Sequence, residues 1–227
     1  MMRDVTLLDY PASLQGHSPS APRALAAFQK LADQVGAEKV AWRYDPLVFS
    51  DQTGPSFHAD TYARLAAALK GYTYRSVTSV VSIYRKNARR LEGLAASGIS
   101  IIPKESVPAD QLATLLRSMA QAAQENGMVR HSCAESPDWG AYGVLPGKCV
   151  DDLWIRGVFG IEVPAAKDSC QRPLCGCVVS KDIGMYDTCL HGCPYCYAVV
   201  DSERVKSNLL RHSPESPSLV DHGRAPQ

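Results

Sequence analysis

Lys39-Val40-Ala41-Trp42-Arg43-Tyr44-Asp45-Pro46 is the stretch on which the fold class turns. Lys39 to Tyr44 reads as a strand. Asp45-Pro46 closes it, because a residue before proline is pushed out of helical backbone. Tyr62, Leu65, Ala66 and Leu69 then recur at helical spacing as far as Gly71, so the stretch opens a strand–helix unit.

The same unit recurs on either side. Upstream, Val5-Thr6-Leu7-Leu8 is a short β-prone run, followed by Leu25, Phe28, Leu31 and Val35 at helical spacing before Gly36. Downstream, Ser76 to Tyr84 reads as a third strand, and a basic helix runs through Leu91 and Leu94 to near Gly98. A long helix from Pro108 to Asn126 shows an apolar face of Leu112, Leu115, Leu116 and Met119, and Gly127 ends it. Met128 to Ser132 reads as a fourth strand that delivers Cys133 and Glu135.

Alternating strands and helices imply parallel pairing. The expected fold is α/β, with repeated βα units forming a parallel sheet or a partial TIM-type barrel and an irregular Cys-rich C-terminal region. Four units do not close an eight-stranded barrel, which takes about 250 residues. The organisation expected is a βα region over 1–148, a Cys-rich metal- or cluster-binding region over 149–212 and a polar, Pro-rich, disordered tail over 213–227.

Composition narrows the partners. The 227 residues are 45% hydrophobic, enough to bury one substantial core. Lys and Arg number 24 against 23 Asp and Glu, so there is no overall field to attract a polyanion or an anionic membrane, and nucleic acid is unsupported. Met1-Met2-Arg3-Asp4 lacks the apolar core of a secretory signal, and no apolar run has membrane-spanning length. A cytoplasmic protein is expected. No Gly-rich nucleotide-binding fingerprint occurs.

The cysteines carry the chemistry. Six of the 8 lie between Cys170 and Cys196, a density that packing does not require. In a reducing compartment such thiols serve metals or redox chemistry rather than disulfides. Cys189-Leu-His-Gly-Cys193-Pro-Tyr-Cys196-Tyr197 has C-x3-C-x2-C spacing, with Gly192 giving the freedom for a tight wrap. Three soft thiolates on one short loop suit a [4Fe–4S] cluster with one iron left open. A zinc knuckle, or a turn that merely holds thiols, is the competing reading. Cys175-Gly-Cys177 offers two thiols from one turn, and Cys133 and Cys149 would complete a second set of four, suited to zinc or to a second iron–sulfur cluster. Against this, Cys133 as a core residue with an incidental C-x-C pair explains the same residues. Cys170 has no assigned role.

Cys189, Cys193, Tyr195 and Cys196 resemble the C-x3-C-x-aromatic-C hallmark of radical S-adenosylmethionine (SAM) enzymes, where a residue like Tyr197 is also common. Over nearly its whole length the chain also resembles an uncharacterised bacterial domain-of-unknown-function family that carries this loop at its C-terminal end. The shared phrases are Trp42-Arg43-Tyr44-Asp45-Pro46, Cys133-Ala134-Glu135, Gly147-Lys148-Cys149, Cys175-Gly176-Cys177 and Ser180-Lys181-Asp182-Ile183-Gly184. By that resemblance the chain looks like an N-terminally shortened member.

The resemblance implies an open iron that chelates SAM, one-electron cleavage of SAM to a 5′-deoxyadenosyl radical, an electron donor as partner, and Tyr195 near the adenine. Ordinary radical SAM enzymes place the cysteine loop after the first barrel strand, whereas here it follows the βα units; a circularly permuted arrangement would reconcile the two. The alternatives are a zinc-binding interaction module and an iron–sulfur electron-transfer protein in which Cys170 or Cys177 supplies a fourth thiolate. The substrate is not readable.

Other candidates are weaker in kind. Arg43 and Asp45 end a strand, where parallel βα folds present groups to ligand, but an ion pair explains them equally. Glu135 stands beside Cys133 on the same terms. Lys181 and Asp182 are candidates for contact with SAM or substrate, with a solvated turn as the alternative. Arg85, Lys86, Arg89 and Arg90 read as a solvated helix face, and His191 as a donor to the cluster or an exposed side chain.

Overall fold

A computed structural model gives the structure of residues 2–136 and 139–220. In chain order the elements are β1 (Arg3–Thr6), α1 (Ala12–Gln15), α2 (Ala21–Val35), β2 (Val40–Arg43), α3 (Pro55–Ala68), β3 (Arg75–Thr78), α4 (Ala88–Gly93), α5 (Ala109–Glu125), β4 (Val129–Ser132), β5 (Leu145–Pro146), α6 (Asp152–Phe159) and α7 (Ser202–Leu210). By its contacts the chain forms two units. The first takes the segment up to Asp9 with Pro19–Val81 and Ile102–Ser180; the second takes Tyr10–Ser18, Ser82–Ile101 and the chain from Lys181 on.

In the first unit all five strands are parallel, in the order β1-β2-β3-β4-β5. Consecutive order means that each crossover steps the same way across the sheet. Right-handed crossovers then stack their helices on one face, the winding of a barrel segment rather than of a doubly wound sheet.

The strand register sorts the side chains. One row runs Val5, Trp42, Ser76, Arg130 across β1 to β4. It is the helix-covered row: Trp42 is fully buried, stacks on Tyr62 of α3 at 4.6 Å and donates its indole N–H to the Leu7 carbonyl at 2.9 Å. Phe28 and Ala32 of α2, Leu65 of α3, and Leu115, Leu116 and Met119 of α5 complete this core. The Tyr62 hydroxyl donates to Ser76, and Arg130 donates to the Leu116 carbonyl beneath the Tyr62 ring. Burial lowers the Arg130 pKa to about 10.

The opposite row runs Thr6, Arg43, Val77, His131, Leu145. Arg75, also on this face, fastens α6. Its guanidinium bonds Asp151 at 2.8 Å and the Lys148 carbonyl at 2.9 Å, and lies 4.8 Å from the Trp154 ring centroid. Asp151 in turn caps α6 by accepting from the backbone N–H groups of Leu153 and Trp154.

The second unit holds α1, α4, α7 and the Cys189–Cys196 loop. Asp187, almost wholly buried, accepts from the backbone N–H groups of Val200 and Asp201, and Asp201 caps α7.

The α/β class and parallel sheet agree with the sequence reading. The third strand ends at Thr78 rather than Tyr84, because the chain there leaves the ladder and bonds the Leu47 segment instead: Leu47 N–H donates to Ser79 and Val81 N–H donates to Leu47. α1, β5, α6 and α7 were not foreseen. Of the expected tail, 213–220 forms irregular turns and 221–227 lies outside the described residues.

Candidate functional site: two groups of thiols

The side chains singled out in the first unit gather where parallel folds collect their sites, beyond the C-terminal ends of the strands. Arg43 ends β2, Cys133 and Glu135 follow β4, and Cys149 follows β5. Arg43 and Asp45 form an ion pair at 2.5 Å, and Ser79 donates to the other oxygen of Asp45. The second nitrogen of Arg43 donates to Cys149 Sγ at 2.9 Å. Burial works against the Arg43 charge, but Asp45 and Cys149 outweigh it, so its pKa is raised and the group is a permanent cation.

Glu135 is occupied differently. It accepts from the Val80 backbone N–H at 2.7 Å and pairs with Lys104 at 2.5 Å, so it fastens the β3 and β4 exits together. Both the Arg43–Asp45 and Glu135 arrangements are ion pairs, yet only Arg43 also touches a thiol.

Three of the four cysteines expected as a second set meet directly. Cys133 and Cys149 stand Sγ to Sγ at 3.8 Å, and Cys177 Sγ accepts from the backbone N–H groups of Cys149 at 3.2 Å and Val150 at 3.4 Å. Cys175 and Cys177 are both buried. Burial, followed by the neighbouring Cys177 and Cys149 sulfurs, pushes the Cys175 thiol up. Hydrogen bonding to Cys149 lowers the Cys133 pKa to about 7 against the opposing effect of burial, with Arg43 helping; Cys149 is pushed up in return, because the pair resists a second negative charge. The Arg172 guanidinium lies 3.8 Å from Cys133 Sγ. All eight cysteines are free thiols, and Cys170 is exposed.

Glycines make this gathering possible. A Cβ on Gly147 would stand 2.5 Å from the Ser132 carbonyl oxygen and 2.9 Å from His131 Cβ. Only a bare backbone lets Gly147-Lys148-Cys149 run this close to β4 and lay Cys149 beside Cys133. Gly176 likewise abuts Lys148, with 3.1 Å from its would-be Cβ to Lys148 Cγ.

In the second unit the Cys189–Cys196 loop is held by its backbone. Arg90 of α4 donates to the carbonyls of Pro194, Cys196 and Val199, and Asn87 donates to the Tyr195 carbonyl at 3.0 Å. Among the described residues the three thiols form no disulfide. Cys193 Sγ lies 3.4 Å from Ser18 Oγ and 3.5 Å from the Gln15 carbonyl. Cys189 is exposed, and Cys193 and Cys196 are half-buried. Gly16 passes so near His191 that a Cβ would stand 2.3 Å from the His191 carbonyl oxygen. Tyr195 meets the Tyr10 ring edge-on at 5.7 Å. Lys181 is exposed, and Asp182 accepts from Gly184 N–H in an exposed turn.

Asn87 and Arg90 were missed in the sequence because a run of four cations reads as a solvated face. Only their i, i+3 spacing marks them as sharing one side of the helix. Among the described residues, no three Cys, His, Asp or Glu side chains already converge at the ligand distance of one ion. Shallow hollows of the first unit, one lined by Tyr74, Arg75, Val129 and Trp154, lie toward the opposite ends of the strands. No helix among the described residues is long and apolar enough to cross a membrane.

A family model described as a domain of unknown function (DUF1848) matches residues 1–198. No curated protein and no solved structure matches the chain.

Proposed function

We propose, for a chain that belongs to the DUF1848 family of domains of unknown function, that it is an iron–sulfur protein of the radical SAM type. In this reading Cys189, Cys193 and Cys196 hold a [4Fe–4S] cluster. The observation that carries it is the C-x3-C-x2-C loop whose carbonyls are bound by Arg90 and Asn87 while its three cysteines remain free thiols, Cys189 exposed and Cys193 and Cys196 half-buried. The donor set fits the group: soft anionic sulfurs suit iron, and three of them leave a fourth iron for an exogenous ligand. When bound, the cluster and SAM would supply one-electron reductive cleavage of the SAM carbon–sulfur bond.

The protein's own part is positioning. Arg90 and Asn87 fix the loop path, and the Ser18 hydroxyl can donate to a Cys193 thiolate. Tyr195, with its ring against Tyr10, offers an aromatic edge beside the cysteines. Lys181 and Asp182 are candidate contacts for SAM. An electron donor is required, and the substrate is open. Against Cys177 as a fourth thiolate on this cluster stands its engagement by the backbone N–H groups of Cys149 and Val150.

The test is anaerobic reconstitution with iron and sulfide, followed by electron paramagnetic resonance of the reduced protein with and without SAM. A cluster signal that SAM perturbs and that Cys193→Ala abolishes is expected. A cluster whose signal ignores SAM, or no cluster uptake, would sink the reading.

A further inference from the structure

The geometry points to a second, separate metal site in the first unit: one tetrahedral zinc ion held by Cys133, Cys149, Cys175 and Cys177. This inference does not rest on the reading of the Cys189–Cys196 loop.

Distance is the first argument. Zinc–thiolate bonds are about 2.3 Å, and a tetrahedron with arms of that length has edges of about 3.8 Å. Cys133 and Cys149 stand at 3.8 Å. A disulfide would need about 2.0 Å, and thiolates on different irons of a cubane do not touch one another. The thiol-to-thiol hydrogen bond thus already holds the two sulfurs at the separation that two ligands of a single ion have.

Hydrogen bonding is the second. Cys177 Sγ accepts two consecutive backbone N–H groups, from Cys149 and Val150. Donors converging on a sulfur favour its anionic form, and they do so for a metal-bound thiolate that keeps its negative charge. Charge is the third. Four thiolates on a divalent ion leave two negative charges, and two guanidinium groups stand at hand: Arg43 at 2.9 Å from Cys149 Sγ and Arg172 at 3.8 Å from Cys133 Sγ. The Arg43 contact also explains why the Arg43–Asp45 pair stands at a strand end beside the thiols.

The remaining ligands come from the Cys175-Gly176-Cys177 turn, which packs on Lys148 through the bare Gly176. No three of the four thiols yet converge on one point, so the tetrahedron would close by inward turning of Cys175 and Cys177, both of which are buried beside the pair. With four protein ligands the ion has no open position, so it is a structural staple. It joins three stretches: the β4 exit, the loop after β5, and the Asp168–Val178 segment, in which Asp168 N–H donates to Cys177 and Val178 N–H donates to Val150.

The experiment uses the full chain with Cys189, Cys193 and Cys196 all replaced by Ala, so that the loop cannot hold metal of its own. Purified from zinc-supplemented cells, it is expected to carry one zinc per chain by elemental analysis. After zinc removal, titration with Co2+ should give the strong near-ultraviolet thiolate-to-cobalt charge transfer and intense visible bands of a tetrahedral tetrathiolate, saturating at one equivalent. Adding Cys133→Ser and Cys149→Ser should abolish both. A chain that is metal-free and binds Co2+ without those bands would overturn the assignment. So would a Cys133–Cys149 disulfide, seen as a loss of two mass units, or iron–sulfur colour retained in the loop-free variant. If the Ser variants fail to fold, the Co2+ titration of the loop-free chain decides by itself. Loss of the SAM-sensitive signal with zinc retained would reject the loop reading alone, and the reverse result would reject only this one.

Discussion

Gly147 shows how far a single missing methyl group reaches. Its backbone touches β4 with no room for a Cβ, and that approach sets Cys149 beside Cys133. Gly147→Ala must push the two strands' exits apart, at a cost of about 1–3 kcal/mol, which urea unfolding would read as a lower midpoint. Gly157, in α6, has open space where its Cβ would be. There Gly157→Ala should raise the midpoint, by up to about 1 kcal/mol, because a helical glycine is replaced without strain. If the two alanines behave alike, the close-approach account fails. The thiols themselves were legible from spacing, since three cysteines in eight residues need no structure to be noticed. Arg43 as a neighbour of Cys149 was not, because 106 residues separate the two and only the fold brings them together.

At the scale of the element, α4 is a short helix whose main task is to grip a loop. Arg90 supplies three of its bonds and Asn87 a fourth. Charge-assisted bonds of this kind contribute about 1.5–3 kcal/mol. Arg90→Ala should therefore speed amide exchange across Cys193–Val199 by at least tenfold, and lower cluster uptake, while exchange in β2 and β3 stays as it was. Unchanged exchange in the loop would show that its path does not depend on α4.

Elements with a long amphipathic stripe were readable: α3 buries Tyr62, Leu65 and Ala66, α5 buries Leu115, Leu116 and Met119, and α2 buries Phe28, with Leu25, Leu31, Val35 and Leu112 partly buried against the same core. Short ones were not. β5 is two residues and has no periodicity to read, and α6 hides among Cys, Pro and Gly, its start marked only by the capping Asp151.

For the first unit as a whole, His58 connects stability to pH. It is fully buried in α3, with its ring between the Tyr44 hydroxyl at 3.1 Å and the Val48 carbonyl at 3.1 Å. The neutral ring satisfies both, accepting from Tyr44 and donating to Val48, and burial lowers its pKa to about 4. An unfolded histidine titrates near 6.5. Between those values the unfolded chain binds the extra proton, so stability falls as pH drops from about 6.5 toward 4, by up to about 3 kcal/mol. Thermal midpoints measured across that range should fall, and His58→Gln should flatten the acid limb. Equal slopes in the two proteins would remove His58 from the account.

That the sheet is parallel could be read from alternation. That its strands lie in chain order could not, because the direction of each crossover leaves no trace in local pattern.

The brevity of β5 has a consequence for how the protein keeps to itself. Gly147 turns its N–H inward to Ser132, so alternation along the strand turns the position of Pro146 outward. Proline has no N–H to show there. A foreign strand arriving at this border finds a two-residue rung with its outward donor missing, and the sheet offers no template there for fibril growth or strand exchange.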